Sequence, residues 1–115
     1  MAKKQQHLEL LSDMICEVYA LDSTVGRTAK LIRQRGVEGC VLEVDLTRIV
    51  TAYCTDVLYA TARRLVANDA AAGELPERLR EIARLSPYVP VGILDVKTRV
   101  AERVATMYGA ASEAR

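Results

Sequence analysis

The sequence has 115 residues, with 16 Lys and Arg against 15 Asp and Glu, and a formal net charge of +1. This balance excludes a strong electrostatic field that would steer the chain to nucleic acid, and we expect no nucleic-acid partner. Half of the residues are hydrophobic, yet the only aromatic residues are five tyrosines. Length and composition therefore predict one all-α domain, spanning residues 1–115, with an aliphatic core.

The cysteines and the lack of long apolar runs indicate the cellular compartment in which the protein is expected. The three cysteines, Cys16, Cys40 and Cys54, form no CxxC pair, which predicts free thiols in a reducing environment. The first residues lack the apolar core of a signal peptide, and no apolar run approaches the roughly 18 residues of a membrane span. We therefore expect a cytoplasmic protein.

The first predicted helix covers residues 7–35. Two apolar stripes with spacings of three and four residues predict an amphipathic helix that contacts two neighbours. Gly36 predicts its end, and Gly26, within it, predicts close approach of another backbone. The main stripe is Leu8, Leu11, Ile15, Val18, Val25, Ala29 and Ile32, and the flanking stripe is Leu10, Met14, Leu21 and Leu31.

The second predicted helix covers residues 38–68. Its β-branched residues are compatible with a strand, but strict alternation is absent and helical spacing persists, so helix is predicted. One stripe is Leu42, Leu46, Ile49, Tyr53 and Ala60, and a broader neighbouring face is Val50, Cys54, Val57, Leu58, Thr61 and Leu65.

Two shorter helices follow. Pro76 lies where the first turn of a helix over residues 76–85 tolerates proline, and the prolines of residues 86–92 predict an extended segment. A last helix is predicted over residues 93–108, ending at Gly109, with residues 1–6 and 110–115 frayed. The four helices predict an antiparallel bundle of two long and two short helices.

No catalytic, cofactor or metal site is predicted. His7 is the only histidine, which excludes a metal site with several histidines, and the scattered glycines form no phosphate-binding loop. Cys16 and Cys54 fall within the helical stripes, and neither has a nearby histidine to activate it as a nucleophile.

Two aspartates interrupt the apolar stripes of the long helices: Asp22 in the first and Asp56 in the second. One interpretation is a buried carboxylate pair that binds a metal ion or transfers protons. The alternative, which we favour, is that each accepts a bond from an arginine such as Arg27, Arg48 or Arg63, or faces solvent. An unpaired buried carboxylate would cost several kcal/mol, so burial would require a partner.

Three arginines, Arg78, Arg80 and Arg84, lie on the predicted outer face of the third helix. They predict either a basic docking face for an anionic surface, including peripheral contact with a membrane, or a solvated helix surface. The second alternative is the more common one.

Four segments together resemble the C-terminal extension of a subset of acyl-CoA dehydrogenases, which includes the very-long-chain and ninth-member mitochondrial enzymes and bacterial relatives. The first is Leu8–Ile32 (LELLSDMICEVYALDSTVGRTAKLI), and the second is Val44–Arg48 (VDLTR). The others are Tyr88–Val91 (YVPV) and Lys97–Val104 (KTRVAERV). They follow the family's order and spacing over nearly the whole chain.

The resemblance implies an accessory role. In that family the FAD site and the catalytic glutamate belong to a dehydrogenase core, so the chain itself would hold no cofactor, and FAD would belong to the parent enzyme of fatty-acid β-oxidation. The resemblance implies a non-catalytic helical domain for packing, oligomerisation or docking, whose partner is the dehydrogenase core or a second copy. The alternative is a free-standing helical adaptor or a carrier of a small apolar ligand.

Overall fold

The computed structural model describes the backbone of residues 2–71, 73–86 and 90–113, and side chains between residues 4 and 109 within these ranges. The described chain is all-α and contains no strand, which confirms the predicted helical bundle. The helices are α1 (Ala2–Arg35), α2 (Val41–Asp69), α3 (Leu75–Leu85) and α4 (Leu94–Glu113), and a 3-10 turn, Glu38–Cys40, precedes α2.

The helix ends agree with the sequence best where a strong local signal exists. Gly36 has a φ of +78°, and its N–H donates to the carbonyl of Ile32 at 2.8 Å, so the predicted end of α1 is confirmed. Pro76 lies in the first turn of α3, as predicted. Pro76 has a restricted φ that suits a first helical turn, and Gly36 adopts a positive φ that residues with a Cβ rarely take, so both are strong local signals.

Where the sequence signal for a helix end is weak, the predicted end is wrong. Helix α4 passes through Gly109 to Glu113, and the backbone is helical over residues 2–6 and 110–113, where frayed ends were expected. Met1, residues 114–115 and residues 87–89 of the predicted extended segment lie outside the described residues. A glycine costs a helix only about 1 kcal/mol relative to alanine, so the alanines after Gly109 suffice to continue α4.

Gly26 also departs from its prediction. A Cβ atom placed there would meet no atom within 4 Å, and the residue is exposed. The predicted close approach of a second backbone is therefore wrong.

The chain divides into two compact units, and both long helices contribute to both. The first unit comprises Met1–Asp22 and Tyr53–Pro90, and the second comprises Ser23–Ala52 and Val91–Arg115. The first unit thus contains the beginning of α1, the end of α2, and α3.

In the first unit, Cys54 and Thr61 of α2 are buried. The side chains of α1 that are partly covered recur every three or four residues, and Glu17 among them interacts with Cys54. Leu75, Leu79 and Ile82 of α3 are also half-buried; their three- and four-residue spacing puts them on one side of this short helix, which packs through that side.

In the second unit, polar contacts join α1 to α2. The hydroxyls of Thr28 and Thr47 lie 2.6 Å apart. Thr47 donates its proton to the carbonyl of Glu43 at 2.7 Å, so Thr28 is the donor between the two hydroxyls. Arg35 Nη1 lies 3.4 Å from Glu43 Oε1. From the first pair to the second, the residue number rises on the α1 side, from 28 to 35, and falls on the partner side, from 47 to 43. The two helices are therefore antiparallel in this unit.

Candidate docking surface

Helix α1 carries two stripes of large side chains in the first unit, about 100° apart around its axis. The half-buried residues form the inner stripe: His7, Leu10, Met14, Glu17 and Leu21. The outer stripe is exposed, and its residues retain large fractions of their surface: Leu8 63%, Leu11 43%, Ile15 69% and Val18 53%.

The sequence analysis assigned the main contact to the wrong stripe. The outer stripe is the larger part of the predicted main stripe, yet none of the side chains that the structure describes covers it. The residues predicted to flank it, such as Met14 and Leu21, are the ones that α1 turns inward. Both stripes have the same spacing, so periodicity alone could not distinguish them.

The outer stripe forms a shaped apolar surface. Leu11, Ile15 and Val18 line a surface recess of about 310 Å³ together with Met14 of the inner stripe. Tyr19, four residues after Ile15 and therefore beside it on the helix, is 75% exposed. Contiguous exposed apolar side chains of this size are typical of protein–protein or membrane interaction sites.

Asp22 and Asp56 are both exposed. The interpretation as a buried carboxylate pair is therefore wrong, and the solvent-facing alternative is correct. The physical reason is that their nearest neighbours in each stripe also face outward: Val18 and Val25 on either side of Asp22, and Tyr53 before Asp56, are exposed. A charged residue in such a stripe loses little hydration.

Another aspartate, Asp45 near the start of α2, is buried, with 8% of its side chain exposed. Arg99 of α4 donates two bonds to it, from Nη2 to Oδ1 at 3.0 Å and from Nε to Oδ2 at 3.3 Å. Arg48 adds a longer contact, Nη1 to Oδ1 at 3.6 Å. Planar bidentate pairing of this kind fixes both position and orientation.

The pair also changes the acidity of Asp45. Hydrogen bonding from Arg99 lowers the pKa of the carboxyl below its ordinary value of 3.8, although burial acts in the opposite direction. The same hydrogen bond raises the pKa of Arg99. Asp45 is thus a charged structural group that ties α2 to α4 in the second unit.

The sequence analysis missed the role of Asp45, and quoted the residue only within the resemblance. The sequence did contain a signal for its burial, because Asp45 shares one side of α2 with three apolar residues at three- and four-residue spacing: Leu42, Ile49 and Ala52. Its partner Arg99 is 54 residues away in the sequence, and no local pattern predicts that pairing.

The three arginines of α3 are all exposed, but they do not share one face. Arg80 and Arg84 are four residues apart and lie on the same side, whereas Arg78 is two residues from Arg80 and projects away from it. Arg78 instead lines a surface recess of about 250 Å³ with Glu74, Glu77 and Glu81. The structure therefore separates Arg78 from the proposed basic docking face.

All three cysteines are free, as predicted: Cys16 is exposed, and Cys40 and Cys54 are buried. Burial, and then hydrogen bonding and charge from Glu17, raise the pKa of the Cys54 thiol. A raised pKa keeps the thiol protonated, which makes it a poor nucleophile. Cys54 therefore acts as a packed apolar side chain.

Two further recesses lie at the surface. One, of about 400 Å³, is lined in the first unit by α2 and α3 residues that include Ala60, Arg64 and Leu79. The other, of about 330 Å³, lies beside the Asp45–Arg99 pair in the second unit. Neither Asp22 nor Asp56 lines these recesses.

Within the described part of the chain, no group of three or more His, Cys, Asp and Glu side chains is placed to hold a metal ion. Among the same residues, no helix combines the length and apolar character needed to cross a bilayer.

Comparison of the sequence and fold with protein-family models, with curated proteins and with solved structures finds no match. The relation to acyl-CoA dehydrogenases thus stays a prediction, based on the segments quoted above.

Proposed function

We propose that this chain is a non-catalytic helical accessory domain that acts by packing against protein, in oligomerisation or docking. The observation that carries the proposal is the outer stripe of α1, whose four large apolar side chains are exposed at regular helical spacing. Such a stripe gains free energy only when another apolar surface covers it.

The way the rest of the chain is held together supports this role. The inner stripe of α1 and the buried residues of α2 already pair the two long helices, and Asp45 and Arg99 join α4 to α2. Within the described part of the chain, the outer stripe is therefore not needed for the contacts between helices. Surplus apolar surface on an otherwise packed helix is typical of a protein interface.

The resemblance of the quoted segments gives the proposal its biological setting. A flavin-dependent acyl-CoA dehydrogenase of fatty-acid β-oxidation is the parent enzyme that we propose, with FAD and the chemistry belonging to its core. The accessory domain would then contribute packing surface and no reacting group.

The test uses the purified chain by itself. We expect its visible spectrum to show no flavin, and an assay with an acyl-CoA and an artificial electron acceptor to show no oxidation. Copurification of a stoichiometric yellow cofactor, or acyl-CoA oxidation that depends on the chain, would overturn the accessory role. Binding of the chain to a purified acyl-CoA dehydrogenase core, measured by isothermal titration calorimetry, tests the proposed parent enzyme separately.

A further inference from the structure

The outer stripe of α1 has a charged residue at each end. Continuing its three- and four-residue spacing leads to Lys4 before Leu8 and to Asp22 after Val18. Both charged residues are exposed. In order along one side of α1, the first unit thus presents one cation, four apolar side chains and one anion.

This order is self-complementary when reversed. Lys4 and Asp22 lie at equal distances from residue 13, as do Leu8 and Val18, and Leu11 and Ile15. Two copies of α1 that run in opposite directions and cross at residue 13 therefore place every apolar residue against an apolar residue. The same register places each cation against an anion.

We infer that the outer stripe binds a second copy of this chain, with the two α1 helices antiparallel. Leu8 packs against the partner's Val18, and Leu11 packs against the partner's Ile15. Lys4 pairs with the partner's Asp22 at both ends of the contact. The interface is isologous, as expected of a twofold dimer. The inference rests on the proposed function and names the partner that covers the stripe.

The alternative parallel arrangement is unfavourable. It would place Asp22 opposite the partner's Asp22 and Lys4 opposite the partner's Lys4, and like charges at facing positions repel. In the antiparallel register Asp22 instead defines the alignment, much as a single polar residue in the apolar positions of a coiled coil specifies register.

The experiment is sedimentation equilibrium of the full chain over a range of concentrations, with charge variants. Lys4→Glu and Asp22→Lys should each weaken dimerisation about tenfold, because each turns two attractive pairs into repulsive ones. The double variant Lys4→Glu/Asp22→Lys should restore the affinity. Matched controls are Asp13→Lys, on the opposite side of α1, and Lys30→Glu, beyond the paired segment; both should leave the affinity nearly unchanged.

The outcomes distinguish the alternatives. A parallel dimer keeps like charges together in every variant, so single substitutions without effect would overturn the inference, and so would a double variant that fails to recover. A wild-type chain that stays monomeric at every concentration would also overturn it. The flavin and calorimetric tests of the proposed function are unaffected by these results.

A second pair of variants controls for loss of dimerisation that is caused by unfolding. Ile15→Glu should abolish the dimer, whereas Leu85→Glu, at a position on α3 that is 79% exposed, should leave it intact. Circular dichroism at low concentration should show wild-type helix content for both. Retention of the dimer in a folded Ile15→Glu variant would overturn the inference.

Discussion

The inner and outer stripes of α1 have the same spacing, and the outer one is the more apolar, yet among the described residues only the inner one is covered. Met14 and Leu21 of the inner stripe are half-buried, whereas Ile15 of the outer stripe keeps 69% of its surface. The difference lies in the neighbour, because the inner stripe faces the side of α2 that includes Cys54. Periodicity therefore reports that a face is apolar, and packing decides which apolar face is internal.

The largest expected effect is a difference in folding stability between two truncations, one in the inner stripe and one in the outer stripe. Leu21→Ala should lower the free energy of unfolding by about 2–3 kcal/mol, because it removes packed methyl groups. Ile15→Ala should change it by less than about 0.5 kcal/mol at concentrations where the chain is monomeric. Urea denaturation followed by circular dichroism measures both. Equal losses would show that the two stripes are not distinct.

The aspartates sharpen the comparison between covered and uncovered positions. Asp45→Asn should cost about 1–2 kcal/mol at neutral pH, because it removes a charge-assisted pair, whereas Asp22→Asn and Asp56→Asn should cost less than about 0.5 kcal/mol in the monomer. These costs come from urea denaturation at pH 7. Similar losses for all three would show that burial of Asp45 is not what matters.

The Asp45 contribution should also depend on pH. Its pKa in the folded chain is lower than the ordinary value of 3.8, so the unfolded state binds its proton first as the pH falls. The stabilisation is therefore complete above the unfolded pKa and is lost as the pH falls from about 4 through the folded pKa. Unfolding at a series of pH values should show that the difference between wild type and Asp45→Asn shrinks over that window. A difference that is constant with pH would contradict the assignment.

The smallest effect concerns two glycines, one within α1 and one directly after its last residue. Gly26→Ala should stabilise the chain by about 0.5–1 kcal/mol, because the position is helical and a Cβ there meets no atom within 4 Å. Gly36→Ala is the matched control and should destabilise it by about 1 kcal/mol, because its φ of +78° strains any residue with a Cβ. Thermal unfolding separates the two, and stabilisation by both would contradict the assigned backbone conformations.

Much of the fold could be predicted from sequence because its signals are local. Apolar spacing predicted four helices, Gly36 the end of α1, and Pro76 the start of α3. The start of α4 was predicted to within one residue, but its C-terminal end was not, since Gly109 is only weakly unfavourable within a helix.

The candidate site was less predictable because it depends on which faces meet. The interruptions at Asp22 and Asp56 drew attention to two carboxylates that prove to be exposed. Asp45 was overlooked because the residue that explains it, Arg99, lies on another helix. The outer stripe itself was visible in the sequence, but its exposure follows only from the position of α2.

The most direct measurement is an isotope-filtered nuclear Overhauser experiment on a mixture of labelled and unlabelled chain. An antiparallel dimer centred on residue 13 predicts intermolecular contacts between the methyl groups of Leu11 and Ile15 and between those of Leu8 and Val18. Intermolecular contacts that join Leu11 to the partner's Leu11 and Ile15 to the partner's Ile15 would show a parallel pairing. That result, or the absence of any intermolecular contact from the outer stripe, would contradict the account.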